Sequence, residues 1–294
     1  MNNQLATKIE TYRRRVEERI DAIVPTVSHR PAGLHEAMRY SLEAGGKRIR
    51  PVLLLFTTDL FNTVADPLPA AVALECLHTY TLIHDDLPAL DDSPLRRGRP
   101  SSHARYNEAT AVLAGDGLLT LAFEILAEHY SAEPELALRL IGELAARSGS
   151  RQLIGGQFED IASEGLLAPE EALDYIHRQK TGALLTASLR MGAYFGNPAK
   201  KTIDTIDAFG TQIGLIFQIV DDLLDATASA ETIGKPVGGD ARAQKTTYVS
   251  RYGIDGAKDR ARKHRDIAKG LLNELSEDTK TLAELVDYLI ERAT

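Results

Sequence analysis

The sequence has a single cysteine, Cys76, so no intrachain disulfide can form. That suits a reducing compartment. There is no excess of positive charge: the formal net charge is −8 at pH 7. A general nucleic-acid binder should lean basic, so that class is disfavoured, and any anionic ligand has to be met by a local cluster of cations. No stretch approaches the roughly 20 apolar residues of a membrane span. The opening Met1-Asn2-Asn3-Gln4 runs on to Arg13, Arg14 and Arg15 without an apolar signal core. A cytoplasmic protein with no stable membrane insertion is expected. Alternating strand runs are missing, and no Asn-Gly or Asp-Gly turn joins two of them. His129 and His177 lack ligand spacing to other His or Cys residues, which disfavours zinc. No Ser-His-Asp or Cys-His signature marks a side-chain nucleophile.

What remains is a helical period. At 294 residues and 44% hydrophobic composition the chain can bury a large core. Helices are expected near 34–42, from Pro51 onward, and over 70–86, 109–130, 135–147, 170–195, 202–226 and 282–290. The stripes Leu173, Ile176, Leu184, Ala187, Met191 and Ile206, Phe209, Ile213, Ile216, Val220, Leu223 carry the signal in the second half. Residues 92–108 and 227–246, with their Gly, Pro and basic residues, read as loops. A single all-α domain over 1–294, with ten or more helices, is the simplest architecture.

Two acidic segments interrupt apolar helices: Asp85-Asp86-Leu87-Pro88-Ala89-Leu90-Asp91 and Asp221-Asp222-Leu223-Leu224-Asp225. Asp221 and Asp225 share a helix face, with Gln218 one turn before them. Two carboxylates beside a buried stripe repel and are hard to desolvate, and a divalent cation relieves both problems. Mg²⁺ prefers such oxygen ligands and completes its shell with water and phosphate. In the first segment His78, Thr81 and Asp85 share a face. Pro88 should end the helix and swing Asp91 back toward Asp85.

Cations sit nearby in sequence. Gly45-Gly46-Lys47-Arg48-Ile49-Arg50-Pro51 places three at a helix start, where free N–H groups already favour an anion. Arg96-Arg97-Gly98-Arg99 follows the first acidic segment. Lys180 lies in an apolar stripe and needs an anionic partner. Lys235 and Lys245 fall in the loop after the second acidic segment.

Taken in order, GGKRIRP, HTYTLIHDDLPALD, LRRGRP, Leu113-Ala114-Gly115-Asp116, Gly155-Gly156-Gln157, Lys180-Thr181-Gly182, FQIVDDLLD, Gly234-Lys235 and Lys245-Thr246-Thr247-Tyr248 resemble the trans-prenyl diphosphate synthases. The resemblance runs from about residue 30 to the C-terminus and is closest to the bacterial farnesyl/geranylgeranyl diphosphate synthase group. It implies the isoprenoid synthase fold, long helices around a central cavity, in a homodimer. It implies that Asp85, Asp91 and Asp221 bind Mg²⁺, three ions with the bound diphosphate, supported by Asp86 and Asp225. Gly46, Lys47, Arg50, His78 and Arg97 would hold isopentenyl diphosphate. Arg96, Lys180, Thr181, Gln218 and Lys235, joined by Lys245, would hold the allylic diphosphate. Tyr80 and Thr81 would limit chain length, which favours farnesyl over geranylgeranyl diphosphate. Asp85, Asp91, Lys180 and Asp221 are the expected catalytic set. A terpene cyclase would have no use for the GGKRIRP segment and Arg97, and a non-catalytic regulatory subunit would not need two intact acidic segments. One departure is local: Asp92-Ser93-Pro94 stands where the group commonly has Asn-Asp-Asp, which affects the shape of the following loop.

Overall fold

A computed structural model describes residues 3–163, 170–227 and 246–291. Its organising element is α4 (Leu68–Asp85), apolar on every side. Ala70 to Leu74, Cys76 and Leu77 are all fully buried, so this helix has no solvent face in its first half. Around it lie α1 (Asn3–Ile23), α2 (Ala32–Leu42), α3 (Ile49–Thr58) and α6 (Glu108–His129). α6 starts on a cap in which the Asn107 side chain accepts from the Thr110 N–H at 2.8 Å. α7 (Pro134–Ser148) and α8 (Leu153–Ala162) follow. α9 (Glu170–Ile176) leads to α10 (Ala183–Tyr194), which packs on α3, α7 and α11 (Lys200–Thr227). α11 packs most extensively on α12 (Tyr248–Leu272), and α13 (Lys280–Glu291) closes the chain. A capping box between Thr247 and Ser250 starts α12. The two expected stripes, Leu173 to Met191 and Ile206 to Leu223, are buried at each named position.

Three features depart from the expectation. Residues 170–195 are not one regular helix, because His177–Gly182 form a π-helical turn between α9 and α10. Such turns are rare and are frequent at functional sites. This one carries Lys180 and Thr181. Residues 92–108 are not wholly irregular either. β1 (Leu95–Arg96) and β2 (Arg99–Pro100) pair antiparallel, and α5 (Ser102–Arg105) follows. The hairpin turn is Arg97-Gly98, both at positive φ (52° and 73°), as a tight two-residue turn requires. Finally, α6 and α11 are each long and apolar enough to cross a membrane by length and composition, contrary to the reading that no stretch comes close. Both put much of that apolar surface into the core. Lys235, Lys245 and most of the 227–246 loop lie outside the described residues.

Candidate active site

Three chambers meet between α3, α4, α8, the π turn and α11. The first, of about 470 Å³, is lined by Asp85, Asp91, Arg96, Asp160, Lys180, Thr181, Gln218, Asp221 and Asp222. The second, of about 380 Å³, is largely apolar and includes Tyr80, Thr81, His84, Leu153, Ile154 and Leu184. The third, also about 380 Å³, is lined by Gly46, Lys47, Arg48, Arg50, Glu75, His78 and Arg97. Asp85, Lys180 and Thr181 belong to both the acidic and the apolar chambers. Arg50 and His78 belong to both the apolar and the basic ones.

The chain does turn back after α4. The helix ends at Asp85, three residues before Pro88, and the Asp91 N–H donates to the Asp85 carbonyl at 2.9 Å. In the departing loop Asp92 sits at φ 45° and donates to Leu87 O at 3.1 Å, while Ser93 N–H donates to Asp86 O at 3.1 Å. Burial pushes the Asp85 carboxyl up to about 6; Lys180 opposes the rise and Asp91 adds to it.

Asp86 does not share this position. It is 2% exposed and is gripped by Arg96, whose Nε lies 3.0 and 3.1 Å from its two oxygens and whose Nη2 also donates to it. It is therefore not a lining residue of the acidic chamber; it holds an arginine that is. In the second segment Asp221 lines the chamber and Asp225 is not among its lining residues. The neighbour that joins is Asp222, 3% exposed, which accepts from Gln218 Nε2 at 2.9 Å and from the Tyr248 N–H at 2.8 Å. Gln218 in turn accepts from the Thr181 hydroxyl at 3.0 Å. Lys180 has its anionic partner: Nζ lies 2.6 Å from Asp160 Oδ2.

In the basic chamber Arg50 Nη1 lies 3.2 Å from His78 Nε2. An arginine only donates, so the imidazole accepts and is neutral at that nitrogen. Burial, then the charges of Arg50 and Arg97, hold His78 well below the usual imidazole range. Burial lowers Arg50 to about 10, opposed by Glu75 and assisted by Arg97. Arg97 reaches across to donate to the Gly45 carbonyl. Gly46 sits at φ 129°, a conformation that favours glycine, and packs its backbone against that guanidinium. Of the three cations in GGKRIRP, Arg48 turns inward: its side chain is 0% exposed and it binds Glu17 and Glu75 at 2.8 and 2.6 Å.

Tyr80 is 6% exposed, with its ring edge-on to His84 at 5.6 Å. Burial, then Asp85, pushes its phenol up to about 12. The Thr81 hydroxyl donates to the His78 carbonyl at 2.7 Å. Beside them Gln157 has both side-chain polar atoms buried with no hydrogen-bond partner among the described residues.

Sequence reasoning missed Asp160 and Glu75, and it read Gln157 and Asp222 within motifs without giving either a role. Asp160 and Gln157 are one turn apart after Gly155-Gly156, and Glu75 is a lone carboxylate in an otherwise apolar helix.

Among the described residues, no group of three or more His, Cys, Asp or Glu side chains could hold a metal ion by itself. The donors still suit Mg²⁺. Asp85, Asp91 and Asp221 offer only carboxylate oxygens around one chamber. Asp85 carries a burial penalty that Lys180 and Arg96 offset only in part. Mg²⁺ ordinarily takes one or two carboxylates and fills its shell with water and phosphate, so a closed protein cage is not needed.

The family description "Polyprenyl synthetase" matches residues 31–289. A farnesyl diphosphate synthase of Geobacillus stearothermophilus is 42% identical over 293 residues, covering 99% of this chain and 96% of the relative. A chloroplastic geranylgeranyl pyrophosphate synthase of Catharanthus roseus is 43% identical over 266 residues, covering 89% of this chain and 74% of that one. A solved geranyltransferase of Helicobacter pylori, complexed with magnesium and isoprenyl diphosphate, superposes with a TM-score of 0.85 at 31% identity, covering 99% of this chain and 98% of that one. The chain belongs to the polyprenyl synthetase family, the trans-prenyl diphosphate synthases its motif order resembles, and has their isoprenoid synthase fold.

Proposed function

We propose that this chain, acting as one prenyltransferase domain, condenses isopentenyl diphosphate with dimethylallyl or geranyl diphosphate to make farnesyl diphosphate, releasing diphosphate. The observation that carries the reading is the junction of the chambers. Asp85, Lys180 and Thr181 stand where an acidic compartment meets an apolar one. A diphosphate in the first and its hydrocarbon tail in the second put the allylic C–O bond at that boundary.

Asp85, Asp91 and Asp221 would hold Mg²⁺, in our reading three ions with the bound diphosphate, and Asp225 and Asp86 would support them at a distance. When bound, the metal neutralises charge on the diphosphate leaving group. Arg96 and Lys180 are fixed cations on the same chamber, each already held by a carboxylate. They stabilise the departing diphosphate without reorganising. Gln218 is oriented by Thr181 and Asp222 on the wall of the acidic chamber, where with Thr181 it would hold the allylic diphosphate. Lys47, Arg50 and Arg97, with neutral His78, hold the second diphosphate, which sets its double bond against the cation at close range. Tyr80, Leu153 and Leu184 keep water from the tail. The freed diphosphate takes the proton. Lys235 and Lys245 complete the allylic site in this reading.

Relatives of both the farnesyl and the geranylgeranyl kind are similar at 42% and 43% identity, the farnesyl relative over 96% of its length and the geranylgeranyl one over 74%. Buried Tyr80 in the apolar wall favours the shorter product. The test is incubation with Mg²⁺, isopentenyl diphosphate and each primer, with products sized by mass spectrometry. A fifteen-carbon product is expected, and Tyr80→Ala should lengthen it; no extension of any primer would sink the reading. We further place the protein in the cytoplasm as a homodimer. Leu113 on α6 and Phe158 on α8 are 57% and 70% exposed, apolar surface that a second copy would cover. Light scattering on Phe158→Glu, expected to yield monomer, and cell fractionation check these points.

A further inference from the structure

Glu75 is a carboxylate in the wall of a chamber otherwise suited to an anion. It lies on α4 one turn before His78 and its side chain is 1% exposed. A carboxylate there repels a diphosphate, so the chamber would bind better without it unless it does something else. Its Oε1 accepts from Arg48 Nη1 at 2.6 Å, and its Oε2 has no hydrogen-bond partner among the described residues. Most of the Arg48 guanidinium is committed to the protein as well. Nε and Nη2 donate to the two Glu17 oxygens at 2.8 and 3.1 Å, and Nη2 donates to the Leu42 carbonyl at 2.5 Å. These bonds hold the arginine in place from three sides.

Its backbone explains why it is held so firmly. Arg48 is the N-cap of α3 at φ 48°, ψ 35°, the left-handed region, and it has no side-chain cap. A residue with a β-carbon takes that conformation only when its surroundings impose it. The turn puts Lys47 on one side of Arg48 and Arg50 in the first turn of α3, and both line the chamber. Without the anchor, residue 48 would relax and the two ligand-facing cations would lose their fixed separation. Glu75 also opposes the mutual repulsion of Arg50 and Arg97, both of which burial and neighbouring arginines push down.

We propose that Glu75 is a positioning residue for the homoallylic diphosphate: through Arg48 it fixes the turn that aims Lys47 and Arg50 into the basic chamber. The inference rests on the reading of that chamber as the isopentenyl diphosphate site. Its signature is selective. Losing the anchor weakens one substrate and leaves the other alone, whereas general loosening lowers activity toward both.

The experiment measures KM for isopentenyl and geranyl diphosphates, kcat and Tm in Glu75→Gln, Arg48→Lys and the double variant Glu75→Gln/Arg48→Met. Glu75→Gln should raise KM for isopentenyl diphosphate by about tenfold, with KM for geranyl diphosphate within about twofold. The double variant should be no worse than the poorer single change, because the two residues act as one unit. If Glu75→Gln does not fold, Arg48→Lys keeps a cation between the two carboxylates and carries the same expectation. Equal shifts in both KM values, or a lower Tm with neither KM changed, overturn the proposal. A wild-type protein that consumes no isopentenyl diphosphate overturns the functional reading instead.

Discussion

Asp85 and Asp221 both line the acidic chamber, and each is followed in the chain by a buried aspartate, Asp86 at 2% and Asp222 at 3% exposure. The buried partners do different work. Asp86 grips the side chain of Arg96, delivered by the β1–β2 hairpin. Asp222 joins Gln218 to the backbone at the start of α12. The segments differ in backbone too. The first leaves its helix at Asp85 and loops back through Asp91, while the second stays inside α11 throughout. In the first segment the labour is divided, with Asp85 facing the ligand space and Asp86 fixing the frame; in the second, Asp222 fixes the frame and still lines the chamber beside Asp221.

The largest effect expected from this comparison is on the cavity-facing pair. Asp85→Ala and Asp221→Ala should each lower kcat by about a thousandfold in a steady-state condensation assay, because each removes charge placed at the leaving group. If one variant keeps near-wild-type turnover, the two segments are not equivalent at the chemistry. Asp86→Ala comes next. Breaking a buried ion pair and leaving Arg96 uncompensated should lower unfolding stability by about 3–5 kcal/mol in urea titrations. Asp222→Ala should cost about 1–3 kcal/mol through the Tyr248 N–H and the Gln218 amide that it leaves without their acceptor. Equal losses would mean that the two buried partners do the same job.

A smaller effect concerns pH. Asp85 titrates near 6 in the folded protein, above the roughly 3.9 of an unfolded aspartate. Its contribution to stability is therefore fully present below the unfolded value and is lost as pH rises through the folded one. Asp85→Asn should leave Tm close to wild type at pH 4 and raise it by a few degrees at pH 8, both without divalent cation, by calorimetry. A Tm gain at pH 4 as large as that at pH 8 would show that burial of the charge is not the cause. The smallest change is expected for Asp225→Asn, which should alter kcat by less than about threefold because its side chain does not line the chamber.

Much of this was legible beforehand, for reasons that vary from place to place. The stripes of α10 and α11 are periodic, and periodicity survives without knowledge of neighbours. The return of Asp91 followed from the steric demand of Pro88. The second segment was read less well. Helix geometry pairs Asp221 with Asp225, but it does not say which way the helix is rotated against the π turn and α12, and that rotation also brings Asp222 to the chamber beside Asp221. The hairpin was missed because Arg97 takes a positive φ that Asn or Asp would have advertised.

Alone, the amino-acid sequence determined the helical class, the buried stripes, the order of acidic and basic segments and the family. These depend on residue type and spacing along one element. The tertiary structure decided which member of each like-charged run meets the ligand. Arg96 and Arg97 are neighbours, yet a two-residue turn aims one at Asp86 and the other at Gly45. Lys47, Arg48 and Arg50 are as alike, yet Glu17 and Glu75 draw one of them inward. The choice lies with partners distant in sequence, because a buried charge goes where its counter-charge already is. The two acidic segments obey the same constraint only in part: Asp86 turns away to Arg96, whereas Asp222 accepts from the Tyr248 N–H and still lines the chamber with Asp85 and Asp221.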